Sequence, residues 1–367
     1  MKKTLALVLA AMMVSSLAAC GGSKAESSSA AASETASEAA SASSEAAPAA
    51  DASDITVGAC IYKFDDTFMT GVRNNMTEAA KTLGATLEIV DSQNKQPTQN
   101  EQVDTYITKG VNALAVNPVD LTAAGPIIDK AMAEDLPIVF LNRQPSDADM
   151  AKYDKTWYVG ARAEESGTMS GEIIADYFKE HTDADKNGDG KIQYVMLQGE
   201  PGHQDATLRT EYSIKAIESA GFGADKLAAD TAMWDKVKAT DLMKTFIAAN
   251  GLDKIEAVLA NNDDMALGAI EALKAEGYNT GDATKYIPVV GVDATAPALA
   301  AMKDGSLLGT VLNDGKNQGI ATINIAVAAA QGKEINKDNV GFEVTDGKYV
   351  WIPYVKVTAE NYEEFAS

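Results

Sequence analysis

Ile55-Thr56-Val57-Gly58-Ala59-Cys60-Ile61-Tyr62-Lys63-Phe64-Asp65-Asp66-Thr67-Phe68-Met69 is the stretch from which the fold is read. An apolar run through Tyr62 predicts a buried strand, and a polar pair, Asp65-Asp66, ends it. An amphipathic pattern from Met69 to Leu83 then predicts a helix. Outward from this unit the alternation repeats. Strands are predicted at Thr86–Val90, Ala113–Val116, Ile138–Leu141 and Trp157–Val159, with helices at Gln99–Lys109 and Ala123–Glu134 between them. A second series follows, with strands Gln193–Leu197, Ala257–Ala260 and Val289–Val292 and helices Asp205–Ser219, Val237–Ala249 and Met265–Glu276. The reading is α/β: two consecutive doubly wound parallel-sheet units, each large enough to be a lobe.

Ligands of such sheets bind beyond the carboxyl ends of the strands. Polar residues gather at those ends: Asp65-Asp66, Asn142, His203 with Asp205, Asn261-Asn262, and Asp293. Five strand ends carrying polar clusters point to one site more strongly than any single motif.

The remainder of the chain constrains class and location. Lys2 and Lys3 precede an apolar stretch, Thr4 to Leu17, that is short for a bilayer span. Leu17-Ala18-Ala19-Cys20 then resembles a lipoprotein processing site, which implies cleavage after residue 19 and acylation of Cys20. Residues 20–53 are almost wholly Ser, Ala, Glu and Gly after that cysteine, too poor in bulky apolar groups to order themselves. They are read as a tether with a mean reach of roughly 30 Å. The net charge of −22 opposes binding to nucleic acid. Cys60 is the single cysteine beyond the tether, which excludes an intramolecular disulfide there, and its apolar strand predicts a buried, inert thiol.

Six blocks in order give a more specific reading. They are Ile61–Met69, Gly199-Glu200-Pro201-Gly202-His203-Gln204-Asp205, Asp230-Thr231-Ala232-Met233-Trp234-Asp235, Ala260-Asn261-Asn262-Asp263, Gly291-Val292-Asp293-Ala294 and Gly309-Thr310-Val311-Leu312-Asn313-Asp314. Together they resemble the bacterial galactose/glucose-binding proteins that serve sugar ABC importers, over nearly all of residues 54–366. The resemblance implies a type I periplasmic-binding-protein fold with a three-segment hinge. Its lobes would take residues 54–160 plus 315–347, and 161–314 plus 348–367. It implies that Phe68 and Trp234 sandwich a pyranose, whose C–H faces suit aromatic rings. It further implies hydroxyl contacts from Asp66, Asn142, His203, Asp205, Arg209, Asn262, Asp293 and Asn313, groups that exchange several hydrogen bonds each. The Asp66 position would accept a 4-hydroxyl of either epimer, allowing glucose and galactose. Asp205 and Arg209 are also spaced as an ordinary i, i+4 helix pair. One departure is Asn142-Arg143-Gln144-Pro145, where the family usually has lysine at the second position. Arginine is not its isostere, so contacts at the rim differ.

Asp185-Lys186-Asn187-Gly188-Asp189-Gly190-Lys191-Ile192-Gln193 follows an EF-hand calcium loop through position nine. Donors fall at Asp185, Asn187 and Asp189, the Lys191 carbonyl and Gln193. A register starting at Asp183 puts Gly190 where an apolar eighth residue belongs, whereas the first puts Ile192 there. Met196 at position twelve is no oxygen ligand, and the resemblance implies that Glu256 closes the site on Ca2+.

The expected partners are a hexose, an ABC permease with its ATPase, and the membrane through a lipid anchor; nucleic acid is not among them. A chemoreceptor is a compatible further partner, and the expected state is a monomer. The protein is read as a binder and not an enzyme. A glycosidase is the rival, since two carboxylates flanking a glycosidic bond would hydrolyse it. A sugar-responsive repressor would need a basic helix-turn-helix head, which the acidic tether does not supply.

Overall fold

The computed structural model describes residues 51–366. The residues read as a signal peptide (1–19), as a lipidated Cys20 and as the first part of the tether (to residue 50) lie outside the described residues.

The first lobe alternates β1 (Thr56–Ile61), α1 (Thr67–Leu83), β2 (Thr86–Asp91), α2 (Gln96–Lys109), β3 (Ala113–Val116), α3 (Ala124–Ala133), β4 (Ile138–Leu141), α4 (Asp147–Met150) and β5 (Thr156–Gly160). The second contains α5 (Ala163–Glu180), β6 (Lys191–Gln198), α6 (Gln204–Ser219), β7 (Gly223–Thr231), α7 (Lys236–Asn250), β8 (Ala257–Ala260), α8 (Asp263–Ala275), β9 (Val289–Val290), α9 (Ala296–Lys303) and β10 (Thr310–Leu312). The chain then returns through α10 (Gly315–Ala330), α11 (Lys337–Val340) and β11 (Tyr349–Trp351), and ends in the second lobe with β12 (Val355–Val357).

The first sheet runs β11-β5-β4-β3-β1-β2, parallel throughout. The second runs β7-β6-β8-β9, also parallel, and isolated bridges Val290–Gly309 and Asp293–Leu312 continue it toward the antiparallel pair β10 and β12. Central strands β3, β4 and β8 are buried at every residue, as strands covered on both faces must be. In β1, Val57, Ala59 and Ile61 pack into the core that also holds α10, while Cys60 faces the opposite core with Val103 and Tyr106. Burial raises the Cys60 thiol to about 12, which keeps it protonated and inert. The second sheet likewise separates two apolar layers.

Three segments cross between the lobes: Gly160 to Ala163, Leu312 to Gly315, and Trp351 to Val355. The third displaces one expected boundary. The sequence expectation puts residues from 348 onward in the second lobe, but Tyr349, Val350 and Trp351 pair with Tyr158, Val159 and Gly160 of the first sheet. The ladder holds the chain in that lobe until Ile352.

Elements absent from the sequence reading have physical explanations. β7 is an edge strand without a fully buried residue and shows no apolar run. The interior of α10 is apolar on nearly every side because the helix sits within the core, so it lacks an amphipathic stripe. On α5, Gly167 and Gly171 admit the α6 backbone; a Cβ on Gly171 would stand 2.1 Å from the Ser213 carbonyl oxygen.

Candidate functional site

Each sheet sends its strand ends toward the other, and one cavity between the lobes is lined by Asp66, Phe68, Asn142, His203, Asp205, Arg209, Trp234, Asn262, Asp293 and Asn313. All ten residues singled out from the sequence are thus brought together. Tyr62, Met69 and Arg143 complete the wall. From the sequence Arg143 stands out only as a rim departure from the family pattern. Tyr62 and Met69 carried no signal apart from position, since both read as core residues flanking the first polar turn.

Several of these side chains cap the helix that follows their strand, which fixes their orientation. Asp66 Oδ1 accepts the Met69 N–H at 2.8 Å at the start of α1, and its Oδ2 accepts from the Tyr62 hydroxyl. Asn262 Oδ1 accepts the Met265 N–H at 3.0 Å, leaving its amide N–H groups for the cavity. His203 Nδ1 accepts the Asp205 N–H at 3.1 Å, so the neutral ring carries its proton on Nε2. Burial, then the charges of Arg143 and Arg209, hold His203 well below the usual imidazole range and preserve that tautomer.

Arg209 is anchored on several sides. It donates to Ser166 Oγ at 3.2 Å, the Asn261 carbonyl at 2.9 Å, the Tyr354 hydroxyl at 2.9 Å and Asp205 Oδ2 at 3.0 Å. The i, i+4 pair of the sequence is therefore real but buried inside the site, rather than on a solvated helix face. Burial raises the Asp205 carboxyl even against Arg209 and Arg143. Asp293 is raised further, first by burial and then by the neighbouring Asp263 and Asp66 carboxylates, with Arg209 opposing. Asn313 donates to Asp293 Oδ1 at 3.2 Å and accepts from Gln318 at 2.6 Å.

Asp263 supports the wall from behind and was missed as a functional residue because it sits inside a helix start. Its carboxylate accepts from Thr310 Oγ1 at 2.6 Å and the Thr295 N–H at 2.7 Å, tying the start of β10 and the loop after β9 to α8. Asn142, Met233, Trp234, Asp293 and Ala294 all have positive φ. Backbone strain of this kind persists only where the surroundings hold it, and it gathers at functional sites. Gly199 makes room for the indole: a Cβ there would lie 2.1 Å from Trp234.

The Asp185–Gln193 loop is closed by hydrogen bonds to Asp185 and Glu256. Asp185 accepts N–H groups from Gly188 at 2.7 Å and Gly190 at 2.8 Å, and both glycines have positive φ. Glu256 spans the loop, accepting the Lys186 N–H at 2.7 Å and the Gln193 N–H at 3.0 Å. Gln193 Oε1 is buried without a partner, which fits a cation as its missing neighbour. Among the described residues no three His, Cys, Asp or Glu side chains gather as metal ligands, so Asp185, Asp189 and Glu256 do not converge as a carboxylate trio here.

Two parallel-sheet lobes, three crossings and a polar cavity with aromatic walls define a two-lobed solute-binding protein. The chain belongs to the periplasmic binding protein family, whose domain model matches residues 57–334. It is 42 % identical over 321 residues to the D-galactose/methyl-galactoside binding periplasmic protein of Haemophilus influenzae, covering 87 % of this chain and 94 % of the relative. A putative rhizopine-binding protein of Rhizobium meliloti is 34 % identical over 84 % of this chain and 92 % of its own. Among solved structures, an ABC transporter solute binding protein from Bacillus halodurans C-125 with bound myo-inositol superposes with a TM-score of 0.72 at 32 % identity, covering 86 % of this chain and 98 % of that one.

Proposed function

We propose that the protein binds D-galactose or D-glucose between its lobes and delivers it to an ABC importer, without chemical turnover. The cavity carries this reading: Phe68 and Trp234 line it beside planar amides, carboxylates and Arg209, the combination that suits the apolar faces and hydroxyl edge of a pyranose. Relatives named for galactose, rhizopine and xylitol, and a structural neighbour holding myo-inositol, support a polyhydroxylated ligand. Isothermal calorimetry against glucose, galactose, ribose, arabinose and myo-inositol tests it. The hexoses should bind most tightly, and an absence of heat from both hexoses would overturn the reading. Incubation with aryl glucosides and galactosides should release no phenol.

The Asp185–Gln193 loop with Glu256 is proposed to hold Ca2+ as a brace of the second lobe. Asp185, Asn187, Asp189, the Lys191 carbonyl, Gln193 and Glu256 would hold it, and the bound ion would supply charge neutralisation rather than chemistry. Acylated Cys20 would keep the monomeric binding protein at the extracytoplasmic membrane face, where a permease, and in some settings a chemoreceptor, reads the closed form.

A further inference from the structure

We propose that Glu200, a second-lobe residue outside the sugar-facing set, is the clamp that holds the cleft shut and seats Arg143 against the ligand; this rests on the sugar-binding reading above. Glu200 stands between two donors of the first lobe. Arg143 Nη2 donates to its Oε2 at 2.8 Å, and Asn94 Nδ2 donates to its Oε1 at 3.3 Å. The ion pair is largely buried, with side chains 4 % and 13 % exposed. Charges placed so deeply interact strongly and leave a large penalty when one partner is lost.

Arg143 is already fixed from its own lobe. Its Nη1 donates to the Val119 carbonyl at 3.0 Å, and its guanidinium lies 3.8 Å over the Tyr62 ring. Glu200 takes the remaining side of the fork. The Nε–H is then left buried with no partner, in a residue that lines the cavity. A buried donor without an acceptor calls for one, and the ligand class that supplies it is a pyranose with a hydroxyl oxygen at this edge. Lysine, with one ammonium, would not span Glu200, Val119 and Tyr62 while keeping a separate donor for the ligand.

The opposite rim is built differently. There Thr67 Oγ1 donates to Asp264 Oδ2 at 2.7 Å, a neutral donor to a carboxylate at an exposed position. Opening the lobes frees Asp264 to water at small cost, whereas it strips Glu200 from Arg143 and Asn94 together. The charged clamp therefore exists only in the closed protein, and it acts on ligand release rather than on encounter.

Stopped-flow tryptophan fluorescence on the full chain, with D-galactose and its monodeoxy analogues, tests the proposal. Glu200→Gln should raise koff by at least about 10-fold with kon changed less than about twofold, and Asn94→Ala should raise koff by a smaller factor. The wild type should release one monodeoxy sugar faster than galactose, and Glu200→Gln should lose that discrimination while keeping the others. An unlocalised structural defect would weaken all analogues alike and lower Tm. Wild-type koff in Glu200→Gln, or an unchanged pattern of deoxy-sugar discrimination, overturns the clamp. Should the hexoses give no heat in calorimetry, the functional reading fails separately, and the same koff comparison is made with myo-inositol.

Discussion

Trp234 sits at φ +61°, a conformation that a bulky side chain takes only under constraint. Gly199 leaves the space that its indole fills, and His203 meets it edge-on at 5.1 Å between ring centres. This constraint is consistent with a ring held ready for a sugar face. Trp234→Ala and Phe68→Ala should each weaken hexose binding by about 2–4 kcal/mol in calorimetry; wild-type affinity in both would remove them from the site. Asp66 separates binding from stability. Asparagine caps a helix about as well as aspartate, so Asp66→Asn should leave Tm nearly unchanged. It should lose hexose affinity and, above all, its tolerance of both 4-hydroxyl epimers, because an amide has one acceptor oxygen where a carboxylate has two. Equal affinity for both epimers in the variant would contradict that role. Asp263 predicts a pH effect. Burial raises its carboxyl from 3.8 to about 6, so between those values the folded protein binds more protons than the unfolded chain. Stability from this group therefore falls as pH rises through that window. Removing the titration in Asp263→Asn should shift the Tm difference in the variant's favour between roughly pH 4 and 6. A difference that stays constant across those pH values would discount Asp263 as the titrating group.

At the scale of elements, the cap residues explain why a binding site and a fold share one set of side chains. Asp66, His203 and Asn262 each satisfy an orphan N–H at the start of a helix while lining the cavity, where His203 and Asn262 keep free polar atoms and Asp66 keeps acceptor lone pairs. The Asp185–Gln193 loop shows the same economy. It leads into β6, while Glu256 immediately precedes β8, the neighbouring strand. Calcium in this loop would tie both together. A ligand of the folded state alone stabilises by roughly 4 kcal/mol at a thousandfold excess over Kd. Chelation should lower Tm while leaving hexose affinity at room temperature nearly constant. Glu256→Gln should melt low even with calcium present. A melting curve indifferent to chelator would make the loop a hydrogen-bonded turn.

The whole molecule combines an acidic folded part with an N-terminal segment rich in Ser, Ala and Glu. If Cys20 carries the anchor, Cys20→Ala protein should leave the membrane fraction or remain unprocessed. Correctly cleaved variant that stays on the membrane would refute the anchor. The three crossings make hinge closure the natural large motion, since each segment lies between two separately packed cores.

The sequence by itself determined the alternation of strand and helix, the parallel sheets and the identity of the ten cavity residues. The alternation and the sheets follow from local pattern, since continuous apolar runs mark buried strands. Polar strand ends point to Asp66, Asn142, His203, Asp205, Asn262 and Asp293, whereas Phe68, Arg209, Trp234 and Asn313 come from the family resemblance. Tertiary structure alone decided what depends on distant neighbours. Val350 belongs to the first sheet because Val159 stands beside it, not because of its own surroundings in the chain. The α10 helix is concealed in the pattern because its interior is buried on nearly every side. Glu200 reads as an ordinary loop acid until the fold sets it against Arg143, 57 residues away, in a largely buried place.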